Sequence, residues 1–189
     1  MFKNQGASRT ETAILIKPFE WQDWYAMWKL NAYHLAESGI IVDDAAQGPP
    51  DFALPYDESN PNYPEMDMER IDEAYLKGRG NFWLAWVDDQ PVGSVGAQDM
   101  GDYVELRRMY VRDEYRRRGI GTLLVQALIE HCKRQGASMI KLWTSDDGLG
   151  QFLYAKCGFR RVALQGDELG HKRALSGEFR LCLELNWIS

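Results

Sequence analysis

The sequence predicts a single-domain α/β fold, a mixed β-sheet layered by helices. Three observations carry that prediction. A chain of 189 residues suits one ordinary domain. Three strand-like runs follow one another, Phe82–Val87, Val92–Ala97 and Tyr103–Val111, and the hairpin signal Asp88-Asp89-Gln90-Pro91 joins the first two. Beyond them helical and strand-like segments alternate, the sequence pattern of a sheet covered by helices.

Residues 1–12, MFKNQGASRTET, read as a flexible tail before a domain spanning 13–189. Ala13–Pro18 is a first strand, which Pro18 ends. Asp23 is placed to cap a helix running to about Glu37, with Trp24, Met27, Trp28 and Tyr33 as its apolar face and Gly39 as its stop. Met66–Leu76 has Met68, Ile71 and Tyr75 at helical spacing, closed by Gly78 and Gly80. Gly119–Gln135 is the clearest helix. Leu124, Leu128 and Cys132 recur every four residues, Lys133 and Arg134 suit the carboxyl end of its dipole, and Gly136 terminates it. Ser138–Thr144 then reads as a buried strand, Leu149–Cys157 as a short helix, and Phe159–Ala163 and Phe179–Leu185 as strands. On the short helix Leu149, Phe152, Leu153 and Cys157 form the apolar stripe, with Tyr154 at its edge.

Charge excludes several functions. Asp and Glu number 28 against 22 Lys and Arg, a net −6, which argues against a surface built for nucleic acid. No apolar run approaches the roughly 20 residues of a membrane span, and the amino terminus lacks the apolar stretch of a signal peptide, so a cytoplasmic protein is expected. Cys132, Cys157 and Cys182 are odd in number and unpaired in spacing, as reduced thiols would be. His34, His131 and His171 are scattered without metal-ligand spacing, so no metal is expected.

The charge is unevenly spread. From Asp43 to Glu73 ten acids face one base, Arg70, a balance of −9, which leaves +3 for the rest. Five of the seven prolines also lie there, so residues 43–64 read as a long irregular loop within an acidic 43–73 insert. Opposite in sign, residues 105–118 hold six arginines.

Those arginines lead into Arg116-Arg117-Arg118-Gly119-Ile120-Gly121, between a strand and the start of the long helix. A helix start presents unbonded N–H groups and a partial positive charge, and therefore suits anions, phosphates above all. Glycines leave that backbone open to approach. A glycine-containing helix start with solvated arginines is the simpler alternative.

The hexapeptide R-R-R-G-I-G also resembles the [Q/R]-x-x-G-x-[G/A] signature of the GNAT superfamily of N-acetyltransferases, flanked by ELRRMYV and TLLVQALIEHCKRQGA. A second block, LWTSDDGLGQFLYAKCGFRRV, is similar to that family's next strand, helix and LY-x-x-x-GF ending. Together the two blocks cover residues 104–162, in family order and spacing. The resemblance implies a GNAT fold in which two neighbouring parallel strands, Tyr103–Val111 and Ser138–Thr144, splay apart. Acetyl-coenzyme A would enter the gap, its pantetheine arm against the backbone of Met109, Tyr110 and Val111. Its diphosphate would rest on the amides of Arg116, Arg117, Arg118, Gly119, Ile120, Gly121 and Thr122.

An amine must lose a proton before or as it attacks a thioester, because a lysine-like ammonium has a pKa near 10.4. By resemblance Glu105 is the candidate base, with an ion pair to Arg107 or Arg108 as its structural alternative. Strand alternation places Glu105, Arg107, Met109 and Val111 on one face unless a bulge intervenes. Tyr154, in the LY-x-x-x-GF block, is the candidate acid for the departing thiolate; packing with a bonded hydroxyl is the ordinary alternative. The chain departs from the family pattern at Asp147, where many relatives carry Asn, and at Gly150, where Ala is usual.

The reading is thus an N-acetyltransferase that moves an acetyl group from acetyl-coenzyme A to a primary amine, of a small molecule or a protein, by direct attack. A non-catalytic acyl-coenzyme A binder on the same fold is the alternative. The acidic insert suggests a cationic acceptor, and the last strand, Phe179–Leu185, is a candidate to join a homodimer.

Overall fold

A computed structural model describes residues 13–37, 66–68, 70–145, 150–170 and 178–185, with the side chains of 31–37, Met66 and Asp167 excepted. The tail, Gly39, residues 43–65 and Glu69 of the acidic insert, Asp147, Leu149 and His171 lie outside the described residues, as do the side chains of Tyr33 and His34. The described strands are β1 (Ile14–Pro18), β2 (Asn81–Val87), β3 (Gln90–Asp99), β4 (Val104–Val111), β5 (Met139–Thr144), β6 (Arg160–Val162) and β7 (Phe179–Glu184). They form one seven-stranded sheet in the order β1-β2-β3-β4-β5-β7-β6. Only β4 and β5 run parallel; every other pair is antiparallel.

Helices cover both faces. On one side α3 (Ile120–Arg134) buries Leu124, Leu128 and Cys132 against Trp83, Val95, Val104, Leu106 and Ile140. The short α4 (Gly150–Lys156) joins the same core through Tyr154 and Leu153. On the other side α1 (Trp24–Glu37) and α2 (Ile71–Ala74) bury Trp24, Met27, Leu30 and Ile71 against Phe82, Leu84 and Tyr110. β2 is therefore apolar on both faces, Phe82 and Leu84 pointing one way and Trp83, Ala85 and Val87 the other.

Two local expectations change, and the pairing of the last strand is fixed. Met66–Leu76 is not one helix but a 3-10 turn at Met66–Met68 followed by the four-residue α2. Asp23 lies within a 3-10 turn that precedes α1, and its carboxylate reaches back to the Glu20 amide at 3.2 Å. β7 offers no open edge over Arg180–Cys182, since β5 pairs with it on one side and β6 on the other.

Two features of β4 shape the centre of the molecule. First, β4 and β5 pair only at Val104↔Ile140 and Glu105↔Lys141. Beyond those pairs the strands diverge, so the expected splay is present. Second, the register with β3 slips between Ser94↔Tyr110 and Gly96↔Arg107, setting Arg108 and Met109 opposite Val95 alone. Arg108 takes φ +51°, and the Ser94 hydroxyl donates to its carbonyl at 2.9 Å, pinning the bulge.

Candidate active site

The mouth of the splay is the start of α3. Gly119 is the N-cap at φ +84°, a conformation that side chains resist, and a Cβ built on it would meet nothing within 4 Å. The first α3 amide to bond back is Leu123 N–H, to the Gly119 carbonyl at 3.1 Å. Helix geometry thus leaves the amides of Ile120, Gly121 and Thr122 without helical acceptors, next to the open flank of Gly119. Such a cradle fits a diphosphate.

The arginine side chains before it are turned to other work. Arg116 Nε donates to the Val111 carbonyl at 2.8 Å and its guanidinium pairs with Asp113. Arg118 Nη2 donates to the Glu114 carbonyl at 3.0 Å, and its guanidinium lies over the Tyr115 ring, as does that of Arg112. Arg117 stands exposed at φ +61°. The side chains of Arg112, Arg116 and Arg118 thus brace the 111–119 loop.

Gly121 differs from Gly119. A Cβ there would sit 3.1 Å from a Leu153 methyl and 3.2 Å from the Met109 methyl. The space a side chain would need is filled by α4 and β4, so Gly121 permits close packing of the helix start.

The bulge corrects the single face expected for β4. Val104, Leu106, Met109 and Val111 face the α3 side, whereas Tyr110 packs with the α1 side. Glu105 lies with Lys141, Trp143 and Arg180 on the face away from α3 and is 9% exposed. Its partner is neither Arg107 nor Arg108. Its Oε2 accepts from Arg180 Nη1 at 2.9 Å. Arg107 bonds to Gln98 at 2.9 Å, and Arg108 to Asp67.

Tyr154 stands on the opposite face. The expected stripe on α4 is rotated: Phe152 is 70% exposed and Tyr154 is 7% exposed, its ring edge-on to Phe159. Burial pushes its phenol well above the ordinary tyrosine range. The ring lies 3.1 Å from the position of a Gly150 Cβ, which is itself 3.8 Å from the Thr144 hydroxyl. Tyr154 therefore sits near the end of β5, where the splay is open, and glycine in place of the usual alanine makes room for it.

Asp67, one of the ten acids in the insert, is withdrawn from solvent. It pairs with Arg108, including a 3.0 Å bond to Nε, takes a hydrogen bond from the Tyr75 hydroxyl, and lies 3.8 Å from Arg107 Nε. Burial beside Asp67 holds the Tyr75 phenol well above its ordinary range. His131 is packed: its Nε2 is 3.2 Å from the Gly80 carbonyl and its ring meets Trp83 edge-on. No cluster among the described residues has the make-up of a metal site, and no described helix is long and apolar enough to cross a membrane.

Residues 51–159, more than half of the chain, match the model of the acetyltransferase (GNAT) family. The chain belongs to the GNAT family. Curated relatives include the N-acetylaspartate synthetase of Danio rerio, 39% identical over 100 residues, 51% of this chain and 36% of that one. Human N-acetyltransferase 8 is 34% identical over 104 residues, 51% of this chain and 46% of that one. The chain thus spans about half the length, or less, of these GNAT relatives. Among solved structures, a GNAT acetyltransferase of Staphylococcus aureus superposes with a TM-score of 0.67 at 24% identity, covering 92% of this chain and all of that one. The PaiA N-acetyltransferase of Thermoplasma acidophilum, solved with coenzyme A, gives 0.59 at 16% identity, covering 92% and 99%. These two likenesses show the GNAT fold.

Arg180, Glu168 and Tyr103 are the site neighbours that sequence reasoning missed. The only signal was an arginine in the apolar alternation of the last strand, FRLCLE.

Proposed function

We propose that this protein is an N-acetyltransferase, moving an acetyl group from acetyl-coenzyme A to a primary amine by direct attack. One observation carries the reading. Glu105, at the last paired position before β4 and β5 diverge, and Tyr154, beside the end of β5, lie on opposite faces of the sheet. A thioester threaded between β4 and β5 would present one side to each.

On the Glu105 side the acceptor ammonium gives up a proton to the carboxylate, directly or through one water, and the freed amine forms a bond to the acetyl carbon. On the Tyr154 side the carbon–sulfur bond breaks, the thiolate takes the phenolic proton, and the second proton that the new amide nitrogen must shed passes through solvent to restore the phenol. The amides of residues 119–122 hold the diphosphate, and the β4 backbone at Met109–Val111 lines the channel for the pantetheine arm. That the PaiA structure of the same fold was solved with coenzyme A supports acetyl-coenzyme A as the donor. The acceptor is an amine, small or on a protein. Acids of the insert other than Asp67 would draw a cationic one toward the site.

The test is release of coenzyme A thiol from acetyl-coenzyme A across spermidine, L-lysine, L-aspartate and a peptide with an amino-terminal alanine. Amine-dependent release supports the reading. Binding of acetyl-coenzyme A without release from any amine would instead make the protein an acyl-coenzyme A binder.

A further inference from the structure

On the Glu105 face of the sheet a guanidinium is almost completely buried. Arg180 is 2% exposed, yet it lies on a strand whose neighbours Phe179 and Leu181 enter the α3 core. Alternation turns Arg180 the other way, and the registers Glu105↔Lys141 and Trp143↔Arg180 carry it across β5 toward β4. There it makes three hydrogen bonds: Nη1 to Glu105 Oε2 at 2.9 Å, Nε to Glu168 Oε1 at 3.1 Å and Nη2 to the Tyr103 hydroxyl at 2.9 Å. Its guanidinium lies 4.5 Å from the Trp143 ring centre and 5.4 Å from that of Tyr103.

Glu168, from the 3-10 turn Gly166–Gly170, is held in its turn. Lys141 Nζ lies 3.3 Å from its Oε1, and the Gln165 amide donates to its Oε2 at 3.2 Å. The network therefore has two cations, Arg180 and Lys141, and two carboxylates, and every carboxylate oxygen but one has a described donor. The exception is Glu105 Oε1. The Glu105 side chain keeps 12% of its surface open.

Stability alone gives little reason for this arrangement. Removing a guanidinium from water costs several kcal/mol, and well-packed apolar side chains often replace buried ion pairs without loss. A methionine between Trp143 and Tyr103 would cover the same sheet face. What an apolar residue would not supply is orientation. A planar guanidinium fixed at three nitrogens has one pose, and it allows the carboxylate bonded to it few poses of its own.

We propose that Arg180 is the positioning residue for Glu105: it engages Oε2, fixes the rotation of the carboxylate, and leaves Oε1 as the oxygen that receives the acceptor's proton. Glu168 and Tyr103 hold Arg180 for that task. The proposal rests on the reading of Glu105 as the base.

A double-mutant cycle in turnover tests it, using Glu105→Gln, Arg180→Met and the pair, at saturating acetyl-coenzyme A. The acceptor is whichever of spermidine, L-lysine, L-aspartate and the alanine peptide turns over fastest. Glu105→Gln is expected to lower kcat by about 100-fold, within the range for loss of a general base. Arg180→Met is expected to lower kcat at least about tenfold, with KM for acetyl-coenzyme A unchanged, and to cost less than about twofold further once Glu105 is already Gln. Equal fold losses in both backgrounds, or parental kcat in Arg180→Met, would overturn the positioning role. Parental kcat in Glu105→Gln would overturn the base assignment and the proposal with it, while leaving acetyl transfer intact. If Arg180→Met fails to fold, Arg180→Lys completes the same cycle, since it keeps the charge and loses the fork.

Discussion

Leu153 of α4 lies where a side chain at Gly121 of α3 would have to go, 3.1 Å from the position of its Cβ, with the Met109 methyl at 3.2 Å on the other side. The two glycines of the RRRGIG junction thus divide their work. Gly119 gives the backbone its left-handed cap and an open flank; Gly121 lets α4 and β4 close on the helix start.

Substitution at the two positions should separate stability from binding. Gly121→Val is expected to cost about 1–3 kcal/mol by overpacking, which lowers Tm by roughly 2–4 °C per kcal/mol in a domain of this size. Leu153→Ala in the same chain should recover part of that loss. Gly119→Asp should cost about 1–2 kcal/mol for a left-handed non-glycine residue, and should also abolish the rise in Tm on adding acetyl-coenzyme A, because its carboxylate faces the cradle. Thermal melts with and without acetyl-coenzyme A check both. A ligand-induced shift that survives Gly119→Asp would place the diphosphate elsewhere.

What could be read in advance depended on how local its cause was. Leu124, Leu128 and Cys132 declared α3 because their spacing repeats over several turns, and all three are buried. The seven residues of α4 are too short for such a repeat, and contact with α3 chose the inward face, burying Tyr154 and exposing Phe152. The bulge at Arg108 depends on register with β3, which no single strand encodes, so alternation alone misplaced Glu105 relative to Met109. The Glu105–Arg180 pair joins residues 75 positions apart across an intervening strand. Only the sheet order brings them together.

Tyr154 is expected to matter for the leaving group and little for binding. Tyr154→Phe removes the phenolic proton and keeps the ring against Phe159, so kcat should fall by about 100-fold or more, with KM for acetyl-coenzyme A unchanged. Because burial raises its pKa, Tyr154 stays protonated through its ordinary value near 10. The parent enzyme should therefore show no alkaline loss of kcat below that pH that Tyr154→Phe abolishes. An unchanged kcat, with chemistry rate-limiting, would return Tyr154 to a packing role.

Acid stability should depend on the Arg79–Asp99 pair, which joins the turn before β2 to the end of β3. Arg79 Nη2 bonds to Asp99 Oδ1 at 2.6 Å, and the Arg79 amide donates to Asp99 Oδ2 at 2.9 Å. Chiefly through the Arg79 side-chain bond, the Asp99 carboxyl is lowered from 3.8 to about 2. Between those values the unfolded chain binds a proton that the folded chain does not. The contribution is therefore complete above about pH 4 and is lost as pH falls toward about 2. Thermal melts taken downward from neutral pH should show a steeper fall in Tm across that window for the parent than for Asp99→Asn. Parallel curves would mean that the pair adds nothing there.

Asp67 should behave unlike the acids that precede it in the insert. Its side chain is 8% exposed and that of Arg108 is 14% exposed, and Tyr75, wholly buried, donates to the same carboxylate. Removing one partner of such a pair leaves the other charge buried, which typically costs about 3–5 kcal/mol. Salt screens exposed charges over roughly 10 Å at 0.1 M but reaches a buried pair far less. Asp67→Asn is thus expected to lower Tm by a similar amount at low and high salt, and the bulge that Arg108 occupies should loosen with it. Neutralising Asp57, Glu58 and Glu65 together should leave Tm nearly unchanged. It should instead flatten the rise of KM for spermidine with ionic strength, if those acids draw a cationic acceptor. Melts at two salt concentrations separate the roles of the two sets. KM slopes for spermidine and a neutral amine then decide the acceptor's charge. Equal slopes in the parent protein would remove the insert from acceptor recognition and leave Asp67 as the anchor that ties it to β4.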